Sequence, residues 1–205
     1  MNDGAPHALL PLAVQPLTAQ AFAPYGTVLA APAGTGRPIN GGNARRFDLV
    51  ADLQLGAAGG RPMLALFRAQ ARRFPHEVSE MERHALGSQT FVPLGERRFV
   101  IVVAPAGEPP AAGALAAFIT DGLQGVTLAP GTWHHALLAV DAGDFVVVER
   151  AGDAVDCDIC ALAAPAIVDW NGQAPGPAGS ATSLRGFAPP ERPPLPGPST
   201  LRGLR

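Results

Sequence analysis

The stretch MERHALGSQTFVPL, residues 81–94, packs two potential metal ligands, a turn and a strand into fourteen residues. Read as a β-hairpin, it places Glu82 and His84 two apart on one strand and so on one face, because side chains alternate sides with a period of two. Gly87 and Ser88 suit the reversal, and Gln89 to Leu94 returns as a second strand carrying Thr90, Phe91 and Val92. A carboxylate and an imidazole then share one surface. The expectation is that this surface is the inside of a small barrel and that the rest of the chain builds the barrel and completes the site.

Outward from this stretch, short apolar runs recur at close spacing: Met63 to Arg68, Glu77 to His84, Arg98 to Ala104, Leu115 to Thr120, Val126 to Ala129, His134 to Val140 and Phe145 to Arg150. Turn residues separate nearly all of them, and no long amphipathic helix intervenes, which predicts an all-β fold, a barrel or sandwich with short peripheral helices. Residues 1–16 read as a loose start. LTAQAFAPYG reads as a short helix with Thr18 as N-cap, stopped by Pro24 and Gly26, and Tyr25 to Ala31 as a first strand. APAGTGRPINGGNARRFDL, rich in Gly, Pro and Asn, predicts an irregular surface loop. Past residue 165 the Pro-Gly density rises and neither structural period persists. The expected organisation is one domain over residues 1–165 and a disordered tail over 166–205, whose PPLP segment reads as solvated chain.

Bulk chemistry narrows the function. A chain of 205 residues can bury a core without disulfides, and a net charge of -2 with a pI near 6.2 gives no footprint for nucleic acid. All basic residues are Arg, so lysine Schiff-base chemistry is excluded and small anions would be held by guanidinium forks. Cys157 and Cys160 form a lone CxxC; with no second pair, and with acidic neighbours that raise a thiol pKa, it reads as structural. The amino terminus lacks a basic n-region and no segment reaches the ~18 apolar residues of a membrane span, so the expected location is cytoplasmic, with no membrane partner.

The second informative stretch is GVTLAPGTWHHALLAV, residues 125–140. Pro130 and Gly131 make a tight turn that delivers Trp133, His134 and His135, and of two adjacent histidines on a strand one enters a barrel while the other faces out. Together with Glu82 and His84 this resembles the two-motif pattern of the cupin superfamily. By that resemblance Glu82, His84, Gln89 and His134 fall where cupins place metal ligands, with the carboxylate first and an amide third. Two imidazoles and one carboxylate also match the facial triad preferred by divalent iron, nickel or manganese. Trp133 reads as a wall or a subunit contact.

INGGNARRFDL (39–49), MERHALGSQTFVPL, AFITDGLQGVTLAPGTWHHALLAV (117–140) and DFVVVERAG (144–152) together resemble the ureidoglycolate lyase family, also called ureidoglycolate hydrolase. The resemblance covers about residues 9–160 and turns on ERH-x-LG-x-Q-x-F-x-P and on F-I-T-[ND]-G-x-QGV followed by WHH. It implies a cupin-like β-barrel, a homodimer, nickel as cofactor, and cleavage of (S)-ureidoglycolate to glyoxylate and urea late in purine and allantoin breakdown. On that substrate, a divalent metal at Glu82, His84 and His134 would chelate the carboxylate and hydroxyl oxygens. Loss of urea needs a proton on the leaving nitrogen, a task for His135 or a bound water, with Glu82 also at the reacting centre. Arg46, and behind it Arg83 or Arg73, would fork the carboxylate, although a regular strand turns Arg83 away from Glu82. Asn40 and Gln89 would offer amides to the ureido group. Two other readings stay open: an amidohydrolase releasing ammonia from the same substrate, and a non-catalytic cupin that binds a small carboxylate.

Overall fold

A computed structural model describes residues 9–172. In chain order the elements are β1 (Leu10–Pro16), α1 (Ala19–Phe22), β2 (Gly26–Leu29), β3 (Arg37–Ile39), β4 (Ala44–Arg46), β5 (Arg61–Ala69), β6 (His76–Arg83), β7 (Gln89–Pro93), β8 (Phe99–Ala104), β9 (Ala116–Ile119), β10 (Gly125–Leu128), β11 (Trp133–His134), β12 (Leu138–Ala139), β13 (Gly143–Ala151) and β14 (Asp158–Asp169), with single 3-10 turns at Asn40–Gly42, Ala57–Gly59 and Ala112–Ala114. The all-β expectation holds, and α1 begins as predicted, with the Thr18 side chain accepting from Ala21 N at 3.2 Å.

FVIVVA, the whole of β8, has no polar face to turn to water, and every residue in it is buried. Its alternation sends Val100, Val102 and Ala104 into one core and Phe99, Ile101 and Val103 into another. The first core fills a closed ring of strands in the order β8, β9, β1, β14, β6, β11 and back to β8. The second lies between that ring and a five-stranded sheet of order β2-β10-β7-β13-β5, which contributes Phe91, Val126, Leu128, Phe145 and Val147. The candidate site opens into this second space, between the ring and the five-stranded sheet, and not inside the closed ring as expected.

Several local expectations are corrected by long-range pairing. MERHALGSQTFVPL is not a hairpin: β6 belongs to the ring and β7 to the five-stranded sheet, so residues 84–88 turn a corner from one layer to the other. The loose start is strand β1, which pairs in parallel with β14 over Leu10–Ala13 and then with β9 over Val14–Pro16. Because each half of β1 uses a different neighbour, Pro11 and Pro16 are tolerated inside a ring. VDCDIC leads into β14, an interior ring strand between β6 and β1. Residues 134–140 split into β11 and β12, and the loop after β2 contains the β3–β4 hairpin.

The folded part also extends past residue 165. Ala166 and Val168 are buried core residues of β14, and Trp170 packs edge-on against Phe74 at 5.8 Å and under the Arg98 guanidinium at 5.2 Å. The predicted tail from residue 173 on lies outside the described residues. Arg98 in turn grips Asp141, its Nε and Nη2 each 2.9 Å from a carboxylate oxygen, with the Arg98 backbone N–H donating to the same group at 2.9 Å. That fork ties the start of β8 to the β12–β13 turn.

The Arg98 fork holds the Asp141 carboxyl below the ordinary carboxylate range, against a smaller opposing effect of burial. With the folded pKa below the unfolded one, the pair contributes fully above the unfolded value, and the contribution is lost as pH falls through the folded value. At this partial exposure it is worth about 1 kcal/mol or less. Asp141→Asn should therefore lower the melting temperature at pH 7 and show a shallower further loss than the parent between pH 5 and pH 3, as read by thermal melts across that range.

Candidate active site

Antiparallel pairing puts directly opposed residues on one face, and His134 of β11 stands opposite Glu82 of β6. His134 also stands opposite Val103, which faces the second core, so both side chains enter the space between the sheets. Trp133, one position earlier, turns the other way into the first core and donates from Nε1 to Gly107 O at 3.1 Å. His84 lies just beyond the end of β6, and its orientation is fixed by the corner. Gly131, at φ +79°, takes the left-handed conformation of the Pro130-Gly131 turn and donates its N–H to His84 O at 2.7 Å. Asp156 completes the clamp, its carboxylate accepting from Ala85 N and Leu86 N at 2.8 and 2.9 Å.

Glu82, His84 and His134 converge so that one ligand atom from each lies within 4.8 Å of the others. Both imidazoles are oriented by backbone carbonyls: His84 Nδ1 donates to Asp156 O, and His134 Nδ1 to Thr132 O at 3.0 Å. A carbonyl only accepts, so each neutral ring carries its proton on Nδ1 and its lone pair on Nε2. The two Nε2 atoms are buried and make no hydrogen bond, and His134 as a whole is 1% exposed. Glu82 Oε1 stands 3.4 Å from His134 Nε2 without hydrogen-bond geometry. Two orphaned imidazole nitrogens beside a carboxylate are what a divalent transition ion would satisfy, so the donor set fits a metal. When the imidazoles are protonated, contact with His134 draws the Glu82 carboxyl below its ordinary range; burial opposes this, and the charges of His134, His84 and His135 reinforce it.

Two cavities flank the cluster. A cleft of about 490 Å³ is lined by Glu82, Gln89, Phe91, Phe67 and Arg72, and a second of about 330 Å³ by His84, Glu149, Arg150, Met63 and Cys157. Gln89 thus shares a cleft with Glu82, but its Nε2 is directed to Glu149 Oε2 at 2.9 Å. His135 occupies an adjoining pocket of about 30 Å³ with Glu80 and Glu82, its ring 5.6 Å from that of His76. Burial, the largest influence, lowers the His135 pKa, and its Nδ1 donates to Ala136 O at 2.8 Å.

The arginines expected to hold a carboxylate are engaged elsewhere. Arg83 faces away from Glu82, as alternation predicts, donating to Asp158 Oδ2 at 2.8 Å and to Gly107 O at 2.7 Å and lying 4.6 Å over the Trp133 ring. Arg46 on β4 is exposed and paired with Asp48 at 2.6 Å, and neither it nor Asn40, in the turn between β3 and β4, lines either cavity. Arg73 is exposed and lines neither. Arg72, Glu149 and Asp156 were missed. Arg72 and Glu149 sit on segments whose neighbours are distant in sequence, while Asp156 beside the CxxC carried a local signal, an Asp two residues before a strand. Cys157 and Cys160 are free thiols, and burial followed by Glu82 and Asp158 pushes the Cys157 thiol up, the opposite of a reactive cysteine.

A family model described as ureidoglycolate lyase matches residues 10–169. Similar proteins bear the same name: one from Burkholderia cepacia is 50% identical over 151 residues, covering 72% of this chain and 84% of the relative. One from Burkholderia mallei (strain NCTC 10229) is 48% identical over 143 residues, 69% of this chain and 84% of the relative. Ureidoglycolate lyase 1 of Rhizobium meliloti (strain 1021) is 45% identical over 143 residues, 69% and 83%. The matched span runs from the first ring strand to the last and takes in Glu82, His84 and His134, and on it the chain belongs to the ureidoglycolate lyase family.

Proposed function

We propose that the protein is a lyase that cleaves ureidoglycolate to glyoxylate and urea, with Glu82, His84 and His134 holding a divalent cation, nickel being the ion that the family implies. The observation that carries this reading is the pair of buried, unpartnered Nε2 atoms converging on Glu82 beside a cleft of small-molecule size. Such an ion, when bound, supplies Lewis-acid polarisation of substrate oxygens. Arg72, on the wall of the same cleft, is the guanidinium suited to the substrate carboxylate, in place of Arg46 or Arg83. Gln89 faces the ureido end.

The reaction moves one proton from the carbinol hydroxyl to the leaving nitrogen as the C–N bond breaks and the C=O bond of glyoxylate forms. Burial keeps His135 in its neutral form at neutral pH, and its Nδ1–H is committed to Ala136 O, so Nε2 is the free base. His135 takes the hydroxyl proton at Nε2 and returns it to the departing urea nitrogen, beside Glu82, whose pocket it shares. Glu82, kept ionised, stabilises the imidazolium that forms in between.

Incubation of the purified protein with ureidoglycolate should yield urea and glyoxylate in equal amounts and no ammonia; ammonia as the main nitrogen product would indicate an amidohydrolase, and binding without turnover a sensor. His84→Ala/His134→Ala should lose the bound metal, by elemental analysis, together with at least ~100-fold in kcat/KM. His135→Asn should lower kcat by about 10²–10⁴-fold while metal content stays at the parent level.

A homodimer is proposed from β5, which is the edge strand of its sheet and among the described residues has no partner on its outer side. Leu64 and Leu66 are 73% and 54% exposed there, and Met63 and Phe67 are also exposed. An apolar open edge of this length is an aggregation liability that a second copy would cover. Leu64→Arg/Leu66→Arg should shift the sedimentation-derived mass from twice the chain mass to that of one chain.

A further inference from the structure

We infer that Glu149 sets specificity for the ureido group by fixing which end of the Gln89 amide faces the substrate. The inference rests on the lyase reading of this site.

Gln89 is 6% exposed and lines the cleft that contains Glu82. Thr90 of β7 stands opposite Val148 of β13, so Gln89 and Glu149, one step further along each strand, are cross-strand neighbours. Phe91 opposes Val147 two steps back, and both belong to the core between the sheets. Alternation therefore sends Gln89 and Glu149 into the same space that Glu82 and His134 enter from the opposing layer. Substrate held between the layers has the metal-binding cluster on one side and this pair on the other.

The two ends of a carboxamide are nearly the same size and opposite in character, so the neighbour decides its orientation. An ionised carboxylate only accepts. Glu149 Oε2 takes the NH₂ end of Gln89 at 2.9 Å, which turns Oε1 away from Glu149. That oxygen is buried and has no hydrogen-bond partner, an uncommon and destabilising state for a polar atom. A ureido group carries N–H donors on both nitrogens and satisfies it. A second carboxylate or an ester at that position offers acceptors alone and meets Oε1 lone pair to lone pair. Gln89 is thus the contact and Glu149 the positioning residue that acts through it.

The test is calorimetric binding to the purified full-length protein of hydantoate, which has the ureido and carboxylate groups but no hydroxyl to react. Glycolate, which lacks the ureido group, is the control. Glu149→Gln is nearly isosteric and replaces an acceptor-only group by one that donates as well, so Gln89 becomes free to turn over. Hydantoate should bind about tenfold more weakly, with glycolate unchanged. The KM for ureidoglycolate should rise by a similar factor with kcat within about twofold. In a Gln89→Ala background the Glu149→Gln change should add nothing, and Glu149→Asp, which keeps an acceptor-only carboxylate, should retain the preference for hydantoate even if the Gln variant folds poorly. Equal weakening of hydantoate and glycolate, an undiminished effect of Glu149→Gln without Gln89, or no binding of hydantoate by the parent protein would overturn the inference. Hydantoate binding that depends on both residues in a protein that releases no urea would instead overturn the lyase reading and leave the ureido site standing.

Discussion

Two residues, Trp133 and His134, carry the closure of the ring: both pair with β8, His134 also pairs with β6, and among the described residues no other strand joins those two. The same pairing sets His134 opposite Glu82, so closing the barrel and assembling the site are one event. Trp133 anchors the short strand by filling the inner core, and truncating a buried aromatic of this kind typically costs ~3–5 kcal/mol. A domain's net stability is only ~5–15 kcal/mol, so the residue beside the ligand is held by a large fraction of what holds the fold. The Gly131 N–H to His84 O contact extends the constraint to the corner between the two layers.

The polar groups are divided between the layers in a way that matches a bifunctional substrate. From the ring come one carboxylate and two imidazoles, the latter aimed by the carbonyls of Asp156 and Thr132, which cannot donate and so leave Nε2 with its lone pair. From the five-stranded sheet come Gln89 and Glu149, with Phe91 between them and the deeper core. On the proposed reading, substrate oxygens would meet the cation at one wall and the ureido N–H groups would meet acceptors at the other. Neither wall carries its preference alone, since a lone imidazole or a lone amide in a core is an ordinary structural residue; the pattern lies in three orphaned buried atoms drawn from both sides, His84 Nε2, His134 Nε2 and Gln89 Oε1.

What could be read from sequence follows the range of the interactions. Strands such as β8 and β10 depend on residues within one segment, and period-two alternation places them; it also turns Arg83 away, as found, whereas His84, just past the end of β6, reaches Glu82 through the corner contacts to Gly131 and Asp156. Gly87-Ser88 suits a tight reversal and a corner equally well, so sequence predicts a β6–β7 hairpin, and only pairing with β14 and β13 decides between them. β1 was invisible because its prolines argue against a strand and its pairing switches partners midway. Glu149 and Arg72 carry no local signature at all, since what makes each notable is a neighbour about 60 residues or more away. Arg46 had the better local signal, a Gly-rich loop, and the fold spends it on Asp48.

The open edge of β5 bears on the same chemistry. Alternation along β5 sends Leu64 and Leu66 outward, while Met63 and Phe67 turn inward and line the two cavities flanking the cluster. A strand that is at once the outer edge of the sheet and a wall of the site couples whatever covers that edge to the site's access to water. Electrostatic interactions inside a site strengthen as water is excluded, and proton transfer from hydroxyl to leaving nitrogen is best protected from leakage in a closed cleft. A second copy pairing along β5 would therefore do more than hide apolar surface: it would stiffen the wall that carries Met63 and Phe67 and, through the β5–β13 ladder from Gly143 to Ala151, the strand that carries Glu149. A dimer formed along β5 would make the covered edge and the Glu149 wall mechanically one unit, with the ring and its Glu82, His84 and His134 cluster as the other.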